Sequence, residues 1–306
     1  MRFSDYPEET GLERGDAMTE AQPFVLTATS TSGRVKEITD HLENGVREVF
    51  ESGKYEEYLS TMAKFHSYSL NNTLLISMQM PDASYVAGFN SWKNNFGRTV
   101  KKGEKGIKIL APSPYKIKTE TTVLEDGREV KEEKEVTIPA FKPVTVFDIS
   151  QTEGKDLPDI TAPLLGSVER YETLITILKS ISPVPIHFRG MNEGLYGCYS
   201  RDLKEIAIRE GLSELHTVKT AIHEIAHALL HSEIEEQQKD RRTKEVEAES
   251  VAYTVCQHFG LDTSEYSFSY IAGWSGNKET KQLRDSLETI RKTASSIISQ
   301  IETNLN

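Results

Sequence analysis

Cysteine is scarce in this sequence, which has only Cys198 and Cys256 among its 306 residues. Two cysteines are too few for a disulfide framework or for a zinc site built from cysteine, and they fit a reducing compartment. Long apolar runs are also missing, since no stretch approaches the roughly 18 apolar residues of a membrane span. The acidic stretch 1–16 has no apolar segment typical of a secretory signal. We therefore expect a cytoplasmic protein with no membrane partner.

Positive charge is in deficit, because 36 Lys and Arg residues stand against 47 Asp and Glu residues and give a formal net charge of −11. This balance argues against a surface that binds nucleic acid everywhere, although a local basic patch can still do so. A weaker alternative is that the acidic surface itself mimics DNA.

The hydrophobic patterns predict an α+β protein of two domains, for which 306 residues are sufficient. Residues 1–33 have no usable period and are expected to form a flexible arm. Residues 34–150 form the predicted first domain. Residues 151–165, which contain three Pro or Gly breaks, form the predicted linker. Residues 166–306 form the predicted second domain.

Apolar spacings of three or four predict helices near Val35–Phe50, Tyr55–His66 and Leu70–Met78. Two charged, strand-like runs around the turn Glu125–Gly127 predict a projecting hairpin. In the second domain, short strand candidates precede a helix that begins at about Thr217. A sheet that leads into such a helix resembles the layout of zincin peptidases, in which an edge strand can pair with an extended peptide.

Basic and aromatic residues are interleaved between Tyr85 and Leu110, where six Lys or Arg residues accompany the single acid Glu104. Cations that follow phosphates, together with aromatic faces on which bases stack, are typical of single-stranded nucleic-acid binding. The alternative is a solvated hairpin with lysines on its edge and aromatic side chains in the core.

The segment Thr220–His231 contains the pattern H-E-x-x-H, formed by His223, Glu224 and His227, in an apolar run without Gly or Pro. Residues four apart lie on one helix face, roughly 6 Å apart along the axis. Both histidines can therefore direct a ring nitrogen to one ion at about 2.0–2.1 Å. Glu224 lies beside that ion, in the position of a general base that activates water. A chance match on an amphipathic helix is the alternative, and the pattern favours a Zn²⁺ site with Glu224 as its catalytic residue.

Two histidines do not hold a catalytic zinc ion, so a third protein ligand is needed. His231 lies on the same helix face. On a continuous helix, however, it is roughly 12 Å from His223 along the axis, which is too far for a shared ion. We therefore expect His231 to support the site or to lie at the surface.

The acids that follow are better candidates for the third ligand, because a second helix can cross the first. Glu245 and Glu249 share a face at a spacing of four, while Glu247 points about 160° away from Glu245. We expect Glu245 to bind the ion and Glu249 to accept the other ring N–H of a ligand histidine. Glu249 as the third ligand is the main alternative. The oxyanion donor stays open among Tyr196, Tyr199, Tyr253 and His258.

Two sets of residues resemble a known family. The first set comprises Tyr68–Asn72, Gln79–Ala83, Gly88–Trp92, Lys101–Ile107 and Phe147–Thr152. It resembles the N-terminal single-stranded-DNA-binding domain of the ArdC-type antirestriction proteins of conjugative plasmids and related mobile elements. The resemblance favours single-stranded DNA as a partner, and the residues expected to contact it are Trp92, Arg98, Lys101, Lys102 and Lys105.

The second set, His223–His227 with Glu245–Glu249, is similar to the zincin-like C-terminal domain of that family and more distantly to the ImmA/IrrE metallopeptidases. Both groups show E-x-x-A followed by an acid or amide, which supports Glu245 as the ligand. The implied function is antirestriction, with DNA binding and a zinc site that hydrolyses a peptide or protein. The alternative is a non-proteolytic protein that protects DNA and has a structural or regulatory metal site. The long charged hairpin over Lys116–Lys134 departs from the family pattern.

Overall fold

The computed structural model describes residues 21–50, 54–125, 128–157, 168–232, 239–263, 266 and 268–305. The N-terminal half begins with three helices and continues with strands and one short helix. These elements are α1 (Thr31–Val49), α2 (Lys54–Lys64), α3 (Leu70–Gln79), β1 (Val86–Gly88), α4 (Phe89–Asn95), β2 (Arg98–Val100), β3 (Ile107–Pro112), β4 (Tyr115–Glu125), β5 (Arg128–Ile138), β6 (Phe141–Asp148) and β7 (Thr152–Gly154).

The C-terminal half contains a small sheet between helices. Its elements are α5 (Val168–Ile181), β8 (Ile186–Arg189), β9 (Gly197–Ser200), β10 (Glu205–Arg209), α6 (Glu214–Leu230), α7 (Arg241–His258), α8 (Ile271–Ser275) and α9 (Thr280–Leu305). The predicted α+β class is therefore confirmed. No helix in the described ranges is long and apolar enough to cross a membrane.

The main N-terminal sheet has three antiparallel strands in the order β1-β6-β3. Helix α3 covers the outer edge of β3 with two amide side chains. Asn72 both donates to and accepts from the backbone of Leu110, and Gln79 does the same with Lys108, all at 2.9 Å. Because these amides replace a neighbouring strand, the edge is not left open to pair with another chain.

The predicted hairpin is present as β4 and β5, which pair with each other from Tyr115↔Ile138 to Glu125↔Arg128. Its turn at residues 126–127 lies outside the described residues. Cross-strand ion pairs join Lys116 to Glu135 and Lys118 to Glu133 at the surface. Such exposed pairs contribute little stability, so strand pairing rather than burial forms this hairpin.

The C-terminal sheet has the order β8-β10-β9, in which β10 is parallel to β8 and antiparallel to β9. Strand β9 is an edge of this sheet and packs on α6. The short turn from β10 into α6 is capped by Ser213, whose hydroxyl accepts from the N–H of His216 at 3.3 Å. The chain therefore passes directly from the sheet to the helix that contains H-E-x-x-H.

Helix α7 lies between the two halves, where it packs against α2, α6 and α9. Its Ser250 and Tyr253 hydroxyls hydrogen-bond with Tyr55 at 2.8 Å and Ser60 at 2.9 Å, both on α2. The buried apolar residues of both halves accordingly form a single core.

The structure describes only part of the predicted arm and of the predicted linker. Of the predicted arm, residues 1–20 lie outside the described residues, whereas the N–H of Gln22 donates to the Gln79 carbonyl. Of the predicted linker, residues 158–165 lie outside the described residues, whereas β7 pairs with β2. The exact boundaries stay predictions.

Candidate metal centre and nucleic-acid face

One face of helix α6 is buried in the core, and His223 and His227 lie on a different face. Val218, Ile222 and Ile225 are buried in the core. His223 and His227 lie one turn apart, and their Nε2 atoms approach to 3.1 Å. The spacing of four in the sequence thus brings both rings to one point, as predicted from the helical repeat.

Glu245, in the second turn of α7, supplies the third atom at this point. Its Oε2 atom lies 3.7 Å from the Nε2 atoms of both His223 and His227. A tetrahedral ion with ligands at about 2.0–2.1 Å separates its ligand atoms by about 3.3 Å. The three atoms therefore need only small side-chain movements to hold one ion.

The hydrogen bonds around the two rings fix which nitrogens carry protons. The Nδ1 of His223 lies 3.0 Å from Oε2 of Glu249, and a carboxylate accepts, so that nitrogen is the donor. On His227, Nδ1 faces Nδ1 of His231 at 3.0 Å. With Nδ1 protonated on both rings, each Nε2 presents a lone pair, and the Glu245 carboxylate adds another. Three acceptor atoms this close together need a proton or a cation between them.

His231 continues this arrangement away from the metal-ligand candidates. Its Nε2 lies 3.3 Å from Oε2 of the fully buried Glu247. Glu247 also accepts from Lys239 at 3.0 and 3.2 Å and from the Ser286 hydroxyl at 3.1 Å. The sequence placed Glu247 on the far side from Glu245, and the structure shows the buried network that this orientation serves.

The charges around the site raise the pKa of His223 and lower the pKa of Glu245. Burial lowers the pKa of His223, but the contact with Glu249 outweighs it, and the pKa is raised overall. The neighbouring His227 ring lowers the pKa of Glu245, so this carboxylate is ionised at neutral pH. An anionic carboxylate beside two ring nitrogens is an arrangement that attracts a divalent ion.

Glu224 is buried between α6 and the edge strand β9. Burial raises its pKa, partly offset by His223 and His227, and the backbone N–H of Tyr199 donates to its carboxylate. A Cβ atom on Gly197 would lie 2.9 Å from the Oε1 atom of Glu224 and 2.5 Å from Cγ2 of Thr220. The absence of a side chain at Gly197 therefore gives Glu224 its space.

The four residues predicted as possible donors to an oxyanion lie in different parts of the structure. Tyr253 is buried against Ser60 on α2, and His258 bonds to the Ala63 carbonyl, so both are used elsewhere. Tyr196 and Tyr199 lie at β9, on the side of Glu224. Tyr270 is a further candidate donor, which the sequence did not reveal because it belongs to no recognisable motif. Burial, together with the charges of Glu249 and Glu245, raises its pKa to about 12, so its neutral phenol lies near both carboxylates.

Two of the residues predicted to contact DNA make contacts within the protein. Trp92 is 0% exposed, and its indole N–H donates to the Phe147 carbonyl at 2.8 Å. Its ring belongs to the core and cannot stack on a base. Arg98 donates to the hydroxyl and carbonyl of Thr152 and to the Lys155 carbonyl, so its guanidinium fastens β2 to β7. The alternative of aromatic side chains in the core is correct for Trp92.

The other three predicted contacts lie on one exposed loop between β2 and β3. Lys101, Lys102 and Lys105 are all exposed, and Lys101 also donates to the Ser150 carbonyl at 2.8 Å. Phe89, at the start of α4, is 51% exposed and meets Phe147 of the central strand β6 edge-on at 6.3 Å. We name the surface of Phe89, Phe147 and this loop the basic aromatic face.

Comparison with known proteins finds two family models that match two different parts of the chain. Residues 31–147 match the family model of the N-terminal domain of anti-restriction factor ArdC, and residues 185–257 match that of the IrrE N-terminal-like domain. An uncharacterized protein of Bacillus anthracis is 31% identical over 303 residues, covering 87% of this chain and 51% of that relative. The chain therefore spans about half the length of the curated relative it matches.

Two crystal structures of the antirestriction ArdC protein from the R388 plasmid are also similar. The metal-free form is 21% identical, with a TM-score of 0.46, and covers 78% of this chain and 85% of that one. The Mn(II)-bound form is 19% identical, with a TM-score of 0.49, and covers 88% and 97%. By these family models, the N-terminal part of the chain is an ArdC N-terminal domain, and the part that contains the candidate metal centre is an IrrE N-terminal-like domain.

Proposed function

We propose that this chain protects DNA from restriction, binds single-stranded DNA and hydrolyses peptide bonds at a zinc site. The convergence of three acceptor atoms from His223, His227 and Glu245 carries the metal part of the proposal. Two imidazoles and one carboxylate are a ligand set of catalytic zinc, with a further position left for water or substrate. When bound, zinc supplies Lewis acidity towards a water molecule and a peptide carbonyl.

Glu224 is the proposed general base. Its position between the metal-ligand candidates and β9 supports this role, as does its raised pKa, because a base titrating nearer to neutral pH also returns the proton to the leaving amine. The Tyr199 N–H holds the carboxylate in place. Tyr270 is a candidate donor to the oxyanion, since its raised pKa keeps the phenol protonated.

The proposed substrate is an extended peptide. Strand β9 pairs with β10 along one edge only among the described strands, and Glu224 lies beside it. A peptide that added to β9 as a further strand would be held by backbone hydrogen bonds next to the base. Leu195 and Tyr196, which are 43% and 45% exposed just before β9, offer apolar contacts to its side chains.

The test is Glu224→Gln, with Glu214→Gln as its control, because Glu214 is an exposed acid at the start of the same helix. Zinc content and the cleavage of an unfolded protein are measured for both. We expect Glu224→Gln to retain zinc and lose cleavage, and the control to keep both. Loss of zinc from Glu224→Gln would contradict a base that does not bind the ion, and undiminished cleavage would remove Glu224 from the mechanism.

The basic aromatic face supports the DNA part of the proposal. Its three lysines can follow phosphates, and Phe89 offers an exposed ring on which a base can stack. The test replaces Lys102 and Lys105 with Ser, and Lys281→Ser on α9 serves as an exposed control. Each lost phosphate contact should reduce the slope of log affinity against log salt by about 0.7 for a single strand. A slope equal to that of the control would rule out this loop.

A second candidate function is DNA protection without proteolysis, with a structural or regulatory metal. The same Glu224→Gln variant separates the two in a restriction assay on DNA entering a cell. Loss of protection would support proteolysis as the mechanism, whereas full protection would favour binding alone.

A further inference from the structure

A second group of ligand-type side chains lies outside the candidate metal centre. His66, His258 and Glu302 each place one possible ligand atom within 4.8 Å of the others. His66 follows the end of α2, His258 is the last residue of α7, and Glu302 lies near the end of α9. His258 is 13 positions after Glu245 on the same helix, which is roughly 20 Å along its axis. The two groups are therefore separate.

The hydrogen bonds of His258 leave this group short of a proton or a cation. Its Nδ1 lies 2.8 Å from the Ala63 carbonyl, which can only accept, so this nitrogen carries the hydrogen. Its Nε2 then has a lone pair when the ring is neutral. That lone pair faces Oε1 of Glu302 at 3.0 Å, and a carboxylate oxygen is also an acceptor. Two acceptors at this distance need a positive charge between them.

His66, the third residue of this group, also has a ring nitrogen without a hydrogen-bond partner among the described residues. Its ring meets that of His258 edge-on, with centroids 4.7 Å apart. Its Nδ1 is buried and has no hydrogen-bond partner among the described residues. A buried polar nitrogen without a partner destabilises the folded state. Coordination of an ion by this ring would relieve part of that destabilisation.

The dimensions and access of the group suit a small divalent ion. Ligand atoms around a tetrahedral zinc ion are about 3.3 Å apart, close to the 3.0 Å between His258 and Glu302. His66 would need to move inwards by a small side-chain rotation. The Glu302 side chain is 45% exposed and that of His258 is 17% exposed, so one side is open for the ion to enter.

We propose that His66, His258 and Glu302 form a second metal site, for a divalent transition-metal ion of the zinc type. Two imidazoles with one carboxylate favour zinc, cobalt or nickel over magnesium or calcium. The ion is structural, and it fastens the end of α2 in the N-terminal half to α7 and α9 in the C-terminal half.

The first experiment counts zinc in the full chain after equilibration and removal of excess metal. The unaltered chain should hold two ions, and the double variant His223→Gln/His227→Gln should hold one. His66→Gln and Glu302→Gln should each reduce the count of the unaltered chain by one. His187→Gln and Asp285→Asn, at exposed positions, are the matched controls and should leave two.

The second experiment uses the His223→Gln/His227→Gln background, in which only the proposed second site remains. Zinc should raise its melting temperature, and cobalt should give an absorption spectrum of tetrahedral type; adding Glu302→Gln should abolish both effects. One ion in the unaltered chain, with none in this background, would overturn the proposal and leave a protonated His258 paired with Glu302. Because these readouts are independent of peptide cleavage, they stand or fall separately from the proposed peptidase.

Discussion

His227 and His231 face each other through their Nδ1 atoms at 3.0 Å, and His231 in turn faces the buried Glu247 at 3.3 Å. A proton on Nδ1 of His227 can be donated to His231 only if His231 is neutral there and carries its own hydrogen on Nε2. Burial lowers the pKa of His231, which keeps it neutral. The pair thus holds His227 with its Nε2 lone pair directed to the metal-ligand candidates.

The first prediction is that His231→Leu weakens zinc binding without removing a ligand. Loss of an outer partner of a ligand histidine typically lowers metal affinity by about 10–100-fold. The measurement is the zinc dissociation constant by competition with a chelator. His216→Leu, at a partly buried position on the same helix, is the control. An unchanged dissociation constant for His231→Leu would show that His227 needs no support from this side.

The second prediction concerns acid stability and Glu247. Burial opposes ionisation of this carboxyl, but His231 and Lys239 outweigh it, and its pKa is lowered from its ordinary value of 4.5. A depressed folded pKa stabilises the fold above pH 4.5, and this contribution is lost as the pH falls through the folded value. Glu247→Gln should reduce the unfolding free energy at pH 7 by about 1.5–3 kcal/mol. The loss of unfolding free energy that the unaltered chain shows as the pH falls below 4.5 should be smaller in Glu247→Gln.

Denaturant unfolding of the metal-free chain at each pH provides this measurement. Glu288, which is partly buried and bonded to Arg291 on α9, offers a comparison away from the metal-ligand candidates. Equal pH slopes for Glu247→Gln and the unaltered chain would contradict the buried network as a source of stability.

The third prediction is that Gly197→Ala disturbs Glu224 while leaving the metal ligands in place. The new Cβ would lie 2.5 Å from Thr220 and 2.9 Å from the Glu224 carboxylate, so one of these groups must shift. Overpacking of this kind costs about 1–3 kcal/mol. We expect normal zinc content and reduced cleavage. Gly190→Ala is the control, because its Cβ would meet nothing within 4 Å. Full activity of Gly197→Ala would show that Glu224 is free to relocate.

The fourth prediction separates two aromatic residues that the sequence does not distinguish. Phe89→Ala should keep the fold and weaken single-strand binding by about 1–3 kcal/mol, because its exposed ring is a stacking platform. Trp92→Ala should instead destabilise the fold by about 3–5 kcal/mol, because it empties a fully buried site. Thermal unfolding and binding to a short oligonucleotide check both. Normal stability of Trp92→Ala with lost DNA binding would reverse the assignment.

The sequence predicted what depends on local periodicity. The spacing of His223 and His227, and the opposite directions of Glu245 and Glu247 on α7, follow from the helical repeat. The same repeat predicted helices close to α1, α2 and α3. The functional roles of these residues stay predictions.

Contacts between residues far apart in the chain could not be predicted from the sequence. Composition does not tell whether an aromatic side chain among lysines points outwards or inwards, so neither the burial of Trp92 nor the exposure of Phe89 follows from it. The hydrogen bonds of Arg98 could not be predicted either, because they go to Thr152 and to the Lys155 carbonyl, which no residue pattern marks. His66 and Glu302 come together only because α2 and α9 both reach the end of α7, and their separation in the chain hides that.

The position of α7 in the shared core has a thermodynamic consequence. Unfolding either half removes part of the surface on which α7 packs, so a metal ion held through α7 favours the folded form of both halves. An ion at 100 times its dissociation constant contributes about 2.7 kcal/mol by mass action. Metal starvation would therefore raise the unfolded fraction of the entire chain, including the basic aromatic face, and expose it to cellular degradation. The lifetime of the N-terminal half would then follow the metal supply.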